Sequence, residues 1–277
     1  MHPFAALQHV VPQHGLSRLL GAFAASGNGV VKRLLINAFK SAYRIDMTEF
    51  EGDSAADFTS FNDFFTRGLL AGSRPMPDDP GRVVSPADGT VSQAGAIAAG
   101  RLMQAKGREY AVAELLGGTD FAAEFANGSF VTIYLAPHNY HRFHAPCSGR
   151  LLQSIEIPGR LFSVNGVTER HVKRVFARNE RLVLRIGASF GDYAMVLVGA
   201  MIVASIRVAW PGPKSPYRRQ TSRNPPDVVF ERGDEVGAFL LGSTVIVLFP
   251  GGAVDLANAV APGLPLRVGT TIGTLVH

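Results

Sequence analysis

The chain has little with which to cross-link itself. Its 277 residues include one cysteine, Cys147, so neither an internal disulfide nor a cysteine-based zinc site can form. A lone thiol reads as a small packed residue and is compatible with a reducing compartment. Charge is also sparse: 18% of residues are charged, against 47% apolar. That balance excludes a disordered chain and allows a sizeable core. The net charge of +5 suits an anionic surface, but no long Lys/Arg block accompanies it, which argues against nucleic acid as a partner. Long apolar runs are missing as well. The longest uncharged one, Ala194 to Ile206, has 13 residues, where a spanning helix needs roughly 20. Its Gly199 and β-branched residues read as buried strands. Residues 1–11 lack the basic start of a secretory signal.

What is present divides in two. Residues 1–70 read as helical. Leu16, Leu19, Leu20 and Phe23 follow i, i+3, i+4, i+7 spacing. After Gly27-Asn28-Gly29 a second helix is expected from Val30 to Tyr43, with Lys32, Arg33, Lys40 and Arg44 adding positive charge. Such a pattern serves equally a face lying in an anionic membrane interface and a face packed on the chain's own core. Residues 57–70 predict a short aromatic helix with Phe58, Phe61, Phe64 and Phe65 on its core face, and the Pro- and Asp-rich stretch 72–80 a linker. From Val83 onward, short β-branched runs alternate with Gly and Pro. The fold class expected is α+β: N-terminal helices, then a mainly antiparallel β core with barrel-like curvature over 71–277. A Pro-x-x-Gly-x-apolar turn occurs twice, at 86–91 and 146–151, and residues 210–226 predict a mobile surface loop.

Three segments carry chemistry. Leu241-Gly242-Ser243-Thr244 precedes the apolar run Val245 to Phe249. Gly242 has no Cβ, so its carbonyl is open to close approach, and the Ser243 hydroxyl could attack it, given a base and oxyanion donors. The segment 138–144 holds His138, His141 and His144, which supply a base or, as a rival reading, zinc ligands. Asp88, in a Pro-Ala-Asp-Gly turn, either serves the turn or orients a histidine in a Ser-His-Asp relay.

In order along the chain, Phe61-Asn-Asp-Phe-Phe-Thr-Arg67, Pro86-Ala-Asp-Gly89, Tyr140-His-Arg-Phe-His-Ala-Pro146, Leu161-Phe-Ser-Val-Asn165, Phe176-Ala-Arg-Asn-Glu-Arg181, Val198-Gly-Ala200 and Leu241-Gly-Ser-Thr244 resemble the phosphatidylserine decarboxylase proenzymes. The family often has an acid where this chain has Asn139. The resemblance implies self-cleavage between Gly242 and Ser243 into chains 1–242 and 243–277, with Asp88, His144 and Ser243 as the processing triad. It implies that Ser243 becomes a covalent pyruvoyl group, which condenses with the substrate amine, and that His141 serves decarboxylation or headgroup placement. No metal is implied. The partners implied are phosphatidylserine, an anionic membrane surface and the two cleaved chains as a heterodimer, peripheral on the cytoplasmic face of the membrane. Whether the protein also forms homo-oligomers stays open. Alternatives are a serine hydrolase that keeps its chain intact, a non-enzymatic lipid-binding domain, and a pyruvoyl decarboxylase of soluble amino acids.

Overall fold

The computed structural model describes residues 8, 13–118, 120–200, 206–240 and 243–276. The expectations for the Leu16 side chain, and for Leu241 and Gly242, fall outside the described residues, as do positions 201–205.

The apolar run at 243–249 forms the centre of the molecule. Ser243–Phe249 is a strand buried at every position, the pattern of a strand covered on both faces. It pairs antiparallel with Ser129–Leu135 on one side and Gly191–Val198 on the other. The sheet extends through Arg181–Ala188 to Gly149–Ile157 in one direction and through Gly89–Ala96 to Pro265–Leu266 in the other. Alternating side chains feed two cores. Val245 and Val247 face one with Ile133 and Leu197, and Ile246 and Leu248 face the other with Val196 and Phe125. Two small sheets flank this one: Ile206–Val208, Glu235–Phe239 and Arg142–His144, and separately Arg82–Val84, Thr271–Leu275 and Val254–Leu256. Strand outweighs helix, 35% against 20%, so the α+β class holds. The barrel-like curvature does not reach closure, because no closed barrel is found among the described residues.

The helical region is present, and its first two helices match the periodicity while the aromatic one is shorter than expected. Helices Gln13–Ala24 and Gly29–Tyr43 are separated at Asn28, whose side chain caps the second by accepting from Val30 and Val31. The aromatic helix covers only Phe61–Phe65. Upstream, Asp57 accepts from the backbone of Asp53 and Ser54, and Asp63 from Thr59. Side-chain bonds of this kind compete with the helical ladder and hold the chain in turns. Phe58, Phe61, Phe64 and Phe65 are buried as expected and pack with Ile36, Leu35 and Phe39 of the second helix.

Two further differences bear on the site. The two Pro-x-x-Gly turns lie against each other: Val84 N–H donates to Pro146 C=O (3.1 Å) and His144 N–H to Pro86 C=O (2.7 Å). Gly89 is required there, because a Cβ would collide with the Tyr134 carbonyl. The loop expected at 210–226 contains a strand, Thr221–Arg223, on the sheet edge, and buries Tyr217, whose N–H donates to the Glu180 carboxylate at 3.0 Å.

Candidate active site

Strand register places Ser243 and Asp88 at the same end of the central sheet. Thr90 and Thr244 both stand opposite Tyr134, from the two strands that flank Ser129–Leu135. Two strand spacings of about 4.8 Å put the two strands roughly 10 Å apart there. Ser243 itself is fully buried and pairs with Leu135. On its other flank the ladder ends at Val198–Thr244, one residue before Gly199. Gly199 N–H donates to Glu180 C=O (2.9 Å), and Gly199 C=O accepts from Asn179 Nδ2 (2.9 Å). Asn179 also bonds both backbone groups of Phe162. The 176–181 motif thus fixes the end of the strand beside Ser243.

The histidine segment reaches the same region through the small sheet. Phe239 N–H, four residues before Ser243, donates to His141 C=O at 2.8 Å. His144 lies close to Asp88 along the backbone, its N–H bonded two residues upstream at Pro86. Its ring nitrogens, however, have other partners. Nδ1 lies 2.8 Å from Gly233 C=O and Nε2 3.0 Å from the Tyr140 hydroxyl. A carbonyl only accepts, so Nδ1 carries the proton and Nε2 presents its lone pair. Burial pulls the ring below the ordinary histidine value. The Gly233 bond and the charges of Glu235 and Asp88 oppose that shift, and Arg142 adds to it.

Asp88 is buried, and its carboxylate is held by Arg74 rather than by His144. Arg74 Nε and an Nη lie 3.0 and 2.5 Å from its two oxygens, a bidentate pair, and Val268 N–H donates to it at 2.8 Å. Arg74 also pairs with Glu49 at 3.1 Å. The tautomer-setting role expected of Asp88 therefore falls to the Gly233 carbonyl, and Asp88 reaches His144 through its field.

His141 is fully buried, its ring 4.0 Å from that of Phe65. Burial pushes it down to about 3, with the charge of Arg67 adding to the effect and a bond from Nδ1 to Asn139 C=O opposing it. It is neutral at physiological pH, and its buried Nε2 has no hydrogen-bond partner among the described residues. His138 is exposed, so the three histidines point to different surroundings. Among the described residues no group of three or more His, Cys, Asp or Glu is placed to hold a metal.

Arg74, Tyr140, Gly233 and Asn179 were not singled out as site residues in the sequence. Only Tyr140 and Asn179 lie inside motifs that could have flagged them; nothing in the linker composition marks Arg74.

A family model described as phosphatidylserine decarboxylase matches residues 61–274, and a second, described as PSD, matches residues 3–44. The chain is similar to phosphatidylserine decarboxylase proenzymes from several bacteria. It is 44% identical over 278 residues to that of Hahella chejuensis, covering 99% of this chain and 94% of the relative. With the Alcanivorax borkumensis protein it shares 45% over 281 residues, 99% and 96% of the two chains. With that of Azotobacter vinelandii it shares 46% over 273 residues, 96% of each. Near-complete coverage at this identity, with Ser243, His144 and Asp88 in one region of the fold, gives one conclusion: the chain belongs to the phosphatidylserine decarboxylase family, a family of carboxy-lyases.

Proposed function

We propose that this protein is a proenzyme that cuts itself between Gly242 and Ser243 and then decarboxylates phosphatidylserine to phosphatidylethanolamine and carbon dioxide. The observation that carries this reading is the convergence of Ser243, His144 and Asp88 at one end of the central sheet. The relatives' designation as proenzymes supports it.

In the cleavage, the Ser243 oxygen adds to the Gly242 carbonyl carbon. The hydroxyl proton goes to His144 and from there to the departing amide nitrogen, so the peptide bond becomes an ester. Elimination across Cα–Cβ of residue 243 then breaks the ester. It leaves Gly242 as a carboxylate and residue 243 as a dehydroalanine. Addition of water and loss of ammonia leave a pyruvoyl group at the head of chain 243–277.

The surroundings of residue 243 fit such a group. The position is buried, away from bulk water. His141 Nε2 is a buried polar atom without a hydrogen-bond partner among the described residues. A pyruvoyl carbonyl supplies an electron sink for the electrons left when a bound amino acid loses carbon dioxide. The residues of this chain bind and orient around it: neutral His141 offers an acceptor to an ammonium or hydroxyl, and Asn179, through Gly199, holds the adjacent strand end.

The N-terminal helices provide the lipid contact in this reading. Leu19, Phe23, Val30, Leu34 and Tyr43 are exposed by 44 to 78%, and Arg33 and Arg44 are exposed beside them. Apolar side chains bordered by arginine suit an anionic bilayer surface. No helix among the described residues is long and apolar enough to cross a membrane, and the site proposed is peripheral, on the cytoplasmic face. A denaturing gel tests the core of the reading. Two fragments are expected from the native chain and one from Ser243→Ala; a single intact chain carrying a reactive Ser243 would instead indicate a serine hydrolase.

A further inference from the structure

Tyr140 is the side chain in direct contact with the imidazole assigned as the base. Its hydroxyl lies 3.0 Å from His144 Nε2, the two rings stack at 5.7 Å with 28° between planes, and Phe50 backs the phenol at 6.2 Å. The phenol is 3% exposed. Burial raises its ionisation well above the ordinary tyrosine value, so it keeps its proton and can both donate and accept.

We propose that Tyr140 is a positioning residue for self-cleavage: its hydroxyl holds the Nε2 edge of His144 in both protonation states of the ring. It donates to the bare nitrogen, yields that lone pair to the Ser243 hydroxyl for the transfer itself, and accepts from the new N–H until the proton moves on to the departing amide nitrogen. The proton count balances without ionising the phenol. Ser243 loses one proton, His144 gains it, and the Tyr140 O–H rotates from donor to acceptor. With Gly233 C=O fixed on Nδ1 throughout, the ring is gripped at both ends. The proposal rests on His144 being the base.

The other groups facing the ring set its background. Tyr140 and Arg142 come from its own segment, Asp88 from the turn before Gly89, and Gly233 C=O and Glu235 from the segment 233–235. Arg142 is tied to Glu235 at 2.9 Å and Arg74 to Asp88. These pairs are unchanged by a substitution that touches only the phenol oxygen.

The test uses the full chain in two backgrounds. In uncleavable Ser243→Ala protein, 3-fluorotyrosine at position 140 makes the hydroxyl a better donor and a poorer acceptor. Both changes favour neutral imidazole. NMR titration of His144 should therefore shift downward, by a few tenths of a pH unit or more. With Ser243 intact, Tyr140→Phe should slow fragment formation about tenfold, with a melting curve recorded on the same sample. An unmoved His144 titration would overturn the proposal, as would cleavage at the native rate in folded Tyr140→Phe. If Tyr140→Phe does not fold, the fluorotyrosine titration decides. His144→Ala separates the two levels. If it still cleaves, the base assignment fails; if it is inert while Tyr140→Phe cleaves like the native chain, only the role of Tyr140 fails.

Discussion

Individual side chains at this site carry duties that a linear reading assigns differently. Asp88 neutralises Arg74, whose side chain is only 7% exposed. Asp88→Asn therefore removes two things: the field that favours protonated His144, and the counter-charge of a buried guanidinium. Cleavage should slow by roughly a hundredfold, and uncleavable protein should lose about 3 kcal/mol in a denaturant titration. Native stability would show that the ion pair is not the anchor described here. His141 makes a separate prediction. Its folded value is depressed to about 3 from an ordinary 6.5, so the unfolded chain takes up a proton first as pH falls. Stability attributable to His141 is then complete above 6.5 and is lost as pH drops toward 3, at about 1.4 kcal/mol per unit. Between pH 6.5 and 5 the Ser243→Ala protein should lose about 2 kcal/mol more than its His141→Gln derivative. Equal slopes would mean that the ring is already charged or solvated. The residue types were legible in the sequence, but their partners were not. Asp88 meets an arginine 14 residues away and a backbone amide 180 residues away, and neither separation has a period.

The elements divide by how strongly their sequences declare them. Ser243–Phe249 was readable because a strand covered on both faces must be apolar throughout. The helices at 13–24 and 29–43 were readable from periodicity and from the Gly-Asn-Gly break. Val112–Leu116, Gly166–His171 and Val175–Arg178 were not, since helices of four to six residues are too short to show a period. The N-terminal helices pack one face on the chain's own core and leave apolar side chains exposed on the other. Ile36 is buried and Phe39 packs on the Phe61–Phe65 helix, while Leu19, Phe23, Val30 and Leu34 face outward. Deleting residues 1–45 would thus strip a core, and a milder change is the better probe. Replacing Leu19, Phe23, Val30 and Leu34 with glutamine should weaken co-sedimentation with anionic vesicles at least tenfold and leave the rate of fragment formation within about twofold. Unchanged sedimentation would remove these helices from the membrane contact.

For the whole molecule, the proposed break comes at a place where the fold holds the product together. The segment after Ser243 supplies a central strand and further strands at Val254–Leu256, Pro265–Leu266 and Thr271–Leu275, each paired at least in part with the preceding chain or with one another. Chains 1–242 and 243–277 should therefore co-elute as one heterodimer on native size exclusion and part only in denaturant. Elution of a free small chain under native conditions would contradict that architecture. Phe61–Phe65 reaches His141 through Phe65, a contact that ties the helical region physically to the β-rich one.

In the proposed reaction the Ser243 hydroxyl breaks the amide before it. Intact-mass spectrometry of the purified protein tests it most directly. Two species are expected, 1–242 and 243–277, the smaller lighter by one ammonia than a chain beginning with serine, and a single full-length species from Ser243→Ala. One folded species at the full 29.6 kDa from the native sequence, or a small chain beginning with an unmodified serine, would contradict it.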